Sequence, residues 1–235
     1  MMNLQENKTA IFDNVSKLAL KAGRAPESVH IVAVTKYVNC QTTEALIRTG
    51  VNHIGENRVD KFLEKYQALK DEKLTWHLIG SLQRRKVKDV INYVDYFHAL
   101  DSVKLAAEIQ KRAQKPVKCF LQVNISREDS KHGFTIEQID DALNLISRYD
   151  KIELIGIMTM APLKATKEEI SSIFEETESL RKRLQARNIE RMPFTELSMG
   201  MSRDYDIAIQ NGSTICTTSL PIHESYAPGN QDNKA

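Results

Sequence analysis

Short segments rich in Val, Ile and Leu alternate with longer amphipathic stretches along almost the whole of this 235-residue chain. Eight of the short segments predict β-strands, and the stretches between them have the apolar spacing of helices. A further amphipathic helix is predicted over 4–22, before the first strand. A strand followed by a helix, repeated eight times, predicts a single (β/α)8 TIM barrel with an extra N-terminal helix. The predicted strands are 31–35, 51–55, 74–80, 93–100, 117–125, 152–160, 194–200 and 214–217.

An open, doubly wound sheet is the alternative arrangement for the same alternation. That fold normally has a Gly-rich phosphate loop after its first strand. Here the first strand is followed by TKYVN, over 35–39, which contains no glycine. The barrel is therefore preferred, with one domain over 1–224 and a flexible C-terminal tail over 225–235.

Composition excludes several classes of protein. The formal net charge of +2 argues against a dedicated nucleic-acid-binding protein, and no apolar stretch approaches the roughly 20 residues that span a bilayer. Cys40, Cys119 and Cys216 fit no metal-binding spacing and form an odd, sparse set typical of reduced thiols. The N-terminus is polar and acid-containing, unlike a targeting peptide. We therefore expect a cytoplasmic protein with no metal, nucleic-acid or membrane partner.

The first predicted strand ends in Thr35 and Lys36, where α/β barrels carry their chemistry. An ammonium group is hard to keep charged in an apolar cavity, and a neutral amine can form a Schiff base. Taken alone, this lysine is more often a strand end that points to water. The other strand ends favour the functional interpretation, because they too carry polar or small residues: Glu56, Asn57, Ser81, Gln83, Asp101, Asn124, Thr159 and the segment 198–202.

The segment SMGMSRDY, over 198–205, has the composition of a phosphate-binding loop. Two serine hydroxyls flank a glycine just after the seventh strand, and Asp204 precedes a short helix. TIM barrels often bind phosphate in the loops after strands seven and eight. A serine-capped helix with no ligand is an equal alternative for this segment alone. A Schiff-base lysine opposite a phosphate loop is, however, the arrangement that pyridoxal 5′-phosphate (PLP) requires.

Other residues are assigned to packing or solvent. His53 and His77 lie inside predicted strands, which favours a role in the core over catalysis. Met158 and Met160 are interpreted as packing residues. His132 follows the fifth strand in a polar loop, and a solvated loop is slightly preferred there.

Six motifs in order, over residues 32–212, carry a family resemblance. They are VAVTKY, HIGENRVD, WHLIGSLQRRK, KHGF, LIGIMTMAP and ELSMGMSRDYDIAI. The chain resembles the PLP homeostasis proteins of the YggS/PROSC type. The resemblance implies the barrel fold of bacterial alanine racemase, PLP held as an internal aldimine on Lys36, and a role in vitamin B6 homeostasis without established catalysis. It also implies Asn57 beside the cofactor and a phosphate-contacting loop that includes Ser198, Gly200 and Ser202.

The sequence departs from that family at two places. Arg85 replaces the usual Asn of an LQxNK motif. The family's last strand, of the type RIGTxLF, supplies an Arg to the pyridine nitrogen and Gly-Thr to the phosphate, whereas this chain has STICTTSLP over 213–221. Thr218, Ser219 and Leu220 are a candidate remnant of the Gly-Thr part, which makes Thr218 a candidate phosphate residue. We expect weaker PLP retention than in a family member with the complete motif.

The main hypothesis is a monomeric PLP carrier or buffer, with PLP-dependent apoenzymes as candidate recipients and no turnover. The rival hypothesis is a PLP-dependent racemase of the alanine racemase type. Racemisation needs two bases on opposite faces of the substrate, and in racemases the second is a tyrosine from an added β-domain for which this length has no room. A third alternative, opened by the altered C-terminus, is a barrel that has lost its cofactor.

Overall fold

A computed structural model of the chain describes residues 4–128 and 132–219. Eight parallel strands form a closed barrel in sequence order, and β1 pairs with both β2 and β8. The predicted TIM barrel is thus confirmed. The strands are β1 His30–Val34, β2 His53–Glu56, β3 Thr75–Leu78, β4 Tyr96–Leu100, β5 Val117–Gln122, β6 Ile152–Met158, β7 Glu196–Ser198 and β8 Ile215–Thr218.

Helices surround the barrel, and the first of them is the predicted extra helix. It packs across α8, where Asn14 Nδ2 donates to the Tyr205 hydroxyl at 2.7 Å. Apolar side chains from both helices and from β1 and β8 seal this contact. The helices are α1 Leu4–Lys21, α2 Cys40–Ile47, α3 Val59–Leu69, α4 Val87–Val90, α5 Val103–Arg112, α6 Ile139–Ile146, α7 Lys167–Gln185 and α8 Tyr205–Gln210.

Helix α7 shows how the sequence pattern produces these elements. It begins with a capping box, in which Glu169 N donates to Thr166 Oγ1 and Thr166 N donates to the Glu169 carboxylate. Its apolar positions recur every three or four residues and form one face against the barrel. The buried residues of this face are Ile170, Phe174, Thr177, Leu180 and Leu184.

The structure corrects several predicted boundaries. Most strands are shorter than predicted at their carboxyl ends, because apolar residues such as Ile79 and Met199 continue past the last strand pairing and line a cavity instead. Helix α2 begins at Cys40 and is capped by Asn39, whose side chain accepts from Thr42 N at 2.9 Å. The basic stretch after β3 forms a 3-10 turn, Arg84–Lys86, and the four-residue α4.

Two layers of side chains stabilise the barrel. The larger layer lies between the strands and the helices, and the smaller one fills the barrel interior with Val32, Phe120, Ile155, Met158 and Ile215. His77 and His98 are also buried, at 0% and 1% exposure, and the His98 ring stacks on Phe120 of the interior layer. The prediction that His77 is a core residue is confirmed.

The C-terminal tail and Leu220 lie outside the described residues. Among the helices of the described residues, none is long and apolar enough to cross a membrane.

Candidate functional site

A cavity of about 330 Å³ lies at the carboxyl-terminal end of the barrel. Lys36, Asn57, Ser198 and Gly200, four of the six predicted site residues, line this cavity. Its volume falls within the range of small-molecule sites. Four other residues that line the cavity were not predicted as ligand-binding residues from the sequence: Gly80, His98, Gln122 and Thr217.

Lys36 lies two residues after Val34, the last residue of β1, and is half-buried. Its Nζ lies 4.9 Å from the centroid of the Tyr37 ring, while Tyr37 itself is 78% exposed. The preceding residue is held firmly, since Thr35 N donates to Gly55 O at 3.1 Å and Thr35 Oγ1 donates to Glu56 Oε1 at 2.5 Å. The barrel wall therefore positions the backbone that carries the amine.

A buried ion pair lies behind this wall. Lys65, on α3, pairs with Glu56 and also donates to Thr35 O at 2.5 Å, and both charged side chains are at most 1% exposed. Glu56 was predicted at the site beside Asn57, but strand alternation turns it outward to α3. The pair instead stabilises the backbone on which Lys36 and Asn57 stand.

The loops after β2 and β3 meet at Gly80. A Cβ atom at this position would lie 2.1 Å from Asn57 O, far inside contact distance. Only glycine allows the two loops to approach this closely. The approach holds Asn57 at the edge of the cavity, next to Gly80 in its wall.

The loop over 198–204 is fixed by local geometry. Gly200 has a φ of +91°, and a Cβ there would lie 2.5 Å from the Ala208 Cβ. Gly200 O accepts from Thr217 N at 3.1 Å, and Asp204 Oδ1 accepts from Met201 N at 2.6 Å. Burial raises the pKa of Asp204, which is 1% exposed. Contacts from β8 and from Asp204 therefore hold this loop in place.

The two remaining predicted residues, Ser202 and Thr218, contact each other beside the cavity. Their hydroxyl oxygens are 3.2 Å apart, and Ser219 N donates to Ser202 Oγ at 3.1 Å. In β8 it is Thr217, next to Thr218, that lines the cavity. The alternation of strand residues explains this one-residue difference.

Ser198 ends a chain of three histidines that the sequence analysis did not predict. Its Oγ lies 2.7 Å from His98 Nδ1, His98 Nε2 lies 2.9 Å from His77 Nδ1, and His77 Nε2 lies 2.9 Å from His53 Nδ1. Burial lowers the pKa of His98 to about 3 and the pKa of His77 well below its usual value. Both rings are therefore neutral at physiological pH. A histidine in each of three consecutive strands was the available signal in the sequence.

These buried histidines predict a pH dependence of stability. The unfolded chain binds a proton at His98 below pH 6.5, whereas the folded protein binds it only near pH 3. The contribution of His98 to the free energy of unfolding is therefore fully present above pH 6.5. It falls as the pH drops, and about 2 kcal/mol is lost at pH 5 from His98 alone. Urea unfolding at pH 7.5 and pH 5.0 measures this loss. The variant His98→Asn should lose less stability over the same interval, and an unchanged loss would contradict the assignment.

Gln122 presents a polar atom to the cavity. The side chain is 5% exposed, its Nε2 donates to His132 O at 3.3 Å, and its Oε1 has no hydrogen-bond partner among the described residues. A buried oxygen without a donor costs free energy, so this position suits a ligand that donates a hydrogen bond. His132, interpreted from sequence as part of a solvated loop, is exposed and also lines the cavity.

Comparisons with known proteins agree with this geometry. The profile of the family described as "Alanine racemase, N-terminal domain" matches residues 7–210. A protein of Aquifex aeolicus named "Pyridoxal phosphate homeostasis protein" is 35% identical over 217 residues, which cover 91% of this chain and 94% of the relative. The chain belongs to the pyridoxal phosphate homeostasis protein family. The predicted family and its alanine racemase-like barrel are confirmed.

Solved structures of similar proteins have the same fold. A protein of unknown function from Bifidobacterium adolescentis superposes with a TM-score of 0.88 at 31% identity, covering 94% of each chain. PipY of Synechococcus elongatus, solved with PLP bound, superposes with a TM-score of 0.76 at 30% identity, covering 86% of this chain and 95% of its own. These two similar proteins thus share the barrel of this chain, and PipY was solved with PLP bound.

Proposed function

We propose that this protein binds PLP in the carboxyl-terminal cavity and holds it as a Schiff base on Lys36. It stores the cofactor or transfers it to PLP-dependent apoenzymes and turns over no substrate of its own. One observation carries the proposal, namely that Lys36 and the loop from Ser198 to Gly200 line a single cavity of about 330 Å³. The names of the relatives and the PLP-bound structure of PipY support it.

The residues of the cavity suit the chemical groups of PLP. Lys36 offers an amine for the aldehyde, while the Ser198 hydroxyl and the backbone at Gly200 suit a phosphate. The unpartnered Gln122 Oε1 accepts a hydrogen bond, and Asn57 lies at the edge of the same cavity. When bound, PLP supplies an electron sink, and the protein supplies binding and orientation.

The racemase alternative is less well supported. A second base must face the reacting carbon from the side opposite the lysine. Among the described residues that line the cavity, none is a tyrosine. Tyr37 is largely exposed, Tyr96 stacks on His77 inside the barrel, and Tyr205 contacts α1. A carrier without turnover therefore agrees better with the site.

The test is spectroscopic and chemical. Adding PLP to the purified protein should produce an absorbance band at about 420 nm that borohydride removes. Mass spectrometry of the reduced, digested protein should then locate the pyridoxyl group on Lys36. Absence of the band, or a label spread over exposed lysines, would overturn the proposal. The exchange of D- and L-alanine by the PLP-loaded protein should not exceed that of free PLP, and turnover would instead favour the racemase.

The altered end of the barrel gives a separate prediction. A variant whose last strand carries RIGTALF should bind PLP at least about tenfold more tightly, because a charged hydrogen bond to the ring nitrogen contributes about 1.5–3 kcal/mol. Titration with PLP, followed by absorbance, measures the difference. A matched variant carrying QIGTALF separates the guanidinium from the Gly-Thr backbone. Equal affinities in all three proteins would contradict the prediction.

A further inference from the structure

The histidine chain connects the two ends of the barrel. At the carboxyl-terminal end, Ser198 and His98 line the cavity described above. At the amino-terminal end, His53 lines a second cavity of about 280 Å³, whose other polar and charged lining residues include His30, Tyr96, Lys118, Glu153 and Glu196. His77 lies between the two, completely buried. One continuous series of hydrogen bonds therefore runs from one cavity to the other.

Stacking contacts on each of the three rings hinder rotation of the ring about its Cβ–Cγ bond. The His77 ring stacks on Tyr96 at a centroid distance of 4.7 Å, and the His98 ring stacks on Phe120 at 4.6 Å. The His53 ring stacks on His30 at 5.5 Å. The same two nitrogens of each buried ring therefore stay in the chain.

The hydrogen bonds along a chain of neutral imidazoles can be donated in only two directions. Each neutral ring has one N–H and one acceptor nitrogen, and each N···N contact needs one of each. Burial lowers the pKa of all three histidines, and His30 adds to this effect at His53. In the first direction every Nδ1 carries the hydrogen, so His98 donates to Ser198 Oγ. In the second every Nε2 carries it, and the Ser198 hydroxyl donates to His98.

The direction of the chain decides what Ser198 offers to a ligand. A hydroxyl that donates to His98 has no hydrogen left for the cavity, whereas one that accepts from His98 can donate to a phosphate oxygen. A fully ionised phosphate accepts hydrogen bonds and donates none. It therefore favours the first direction, in which Ser198 can donate to it.

We propose that His53, His77 and His98 act as one positioning unit for Ser198. A phosphate ester bound at Ser198 holds all three in the Nδ1–H tautomer, and so it sets which nitrogen of His53 carries the hydrogen in the opposite cavity. This inference rests on the proposed function, in which the phosphate of PLP binds at Ser198. It makes the amino-terminal cavity responsive to occupancy at the other end of the barrel, through hydrogen-bond direction and without a change of fold.

Nitrogen-15 NMR of protein labelled at histidine tests the inference directly. With saturating PLP, His53, His77 and His98 should all show a protonated Nδ1 and an unprotonated Nε2. Pyridoxal, which has the aldehyde but no phosphate, should leave a mixture of both tautomers. A different pattern with PLP, or the same pattern with pyridoxal, would overturn the coupling while the band at about 420 nm still supports PLP binding. Failure to form that band would overturn the proposed function and the coupling together.

Two variants at His98 separate positioning from packing. In His98→Asn the side-chain amide occupies the place of Nδ1, so Ser198 keeps a partner while the link to His77 is cut. His98→Leu removes both contacts. PLP affinity should stay within about threefold in the Asn variant and fall about tenfold in the Leu variant. In the Asn variant, PLP should no longer change the His53 tautomer, a readout that remains available if the Leu variant does not fold. A His53 response that persists in His98→Asn would overturn the proposal.

Discussion

Replacing Lys36 with alanine is expected to abolish the band at about 420 nm and the borohydride-trapped adduct completely. The physical reason is that a Schiff base needs a primary amine, and Lys36 is the only lysine among the described residues that line the cavity. PLP should then be lost on gel filtration, whereas the unaltered protein should retain it. Absorbance of the filtered protein is the measurement.

Two further variants make this experiment specific. Lys36→Arg keeps the positive charge but cannot form a Schiff base at neutral pH, so it should behave like Lys36→Ala. Lys70→Ala alters an exposed lysine at the end of α3 and should leave the band unchanged. A band that survives in Lys36→Ala would place the adduct on another lysine and refute the assignment of the site.

Replacing Lys65 with methionine is expected to lower the free energy of unfolding by about 3–5 kcal/mol. The change leaves the Glu56 carboxylate, which is 0% exposed, without its counter-charge and removes the donor to Thr35 O. Urea unfolding at pH 7.5 measures the loss. Because Thr35 precedes Lys36, the variant should also form the PLP adduct more slowly.

Controls for this prediction come from the same pair and from the surface. The double variant Lys65→Met with Glu56→Gln removes the stranded charge and should recover part of the lost stability. Arg48→Met breaks an ion pair with Glu44 in which the side chains are 77% and 43% exposed, and it should cost less than about 1 kcal/mol. A cost of Lys65→Met as small as that of Arg48→Met would show that the buried pair contributes little.

Lys36 and Lys65 are close in space, but only Lys36 could be selected as a candidate residue from the sequence. Lys36 could be selected because it ends a β-branched run, and a barrel places such positions at one face. Lys65 could not, since it lies in a helix of charged residues, VDKFLEKYQAL, whose pattern is that of a solvated surface. Its burial depends on Glu56, a strand residue that faces the same gap between β2 and α3.

The same distinction explains the histidine chain and the end of the barrel. The motif at 198–202 indicated a phosphate loop, but the partner of Ser198 is His98, 100 residues away along the chain. No periodicity within either strand relates these two side chains. Thr217 and Thr218 likewise differ only in which side of β8 they occupy, and pairing of Ala33 with Thr218 in the closed barrel sets that register.

The sequence by itself determined the alternation of strands and helices, the closed barrel, and the position of Lys36 and the 198–202 loop at strand ends. These features depend on local hydrophobic period and turn chemistry, which a short window of residues contains. Only the tertiary structure decided the Lys65–Glu56 pair, the link from Ser198 to His53, and the placement of Thr217 in the cavity. Each of these depends on distance between side chains that barrel closure brings together, and on burial that turns ordinary polar residues into neutral or paired ones.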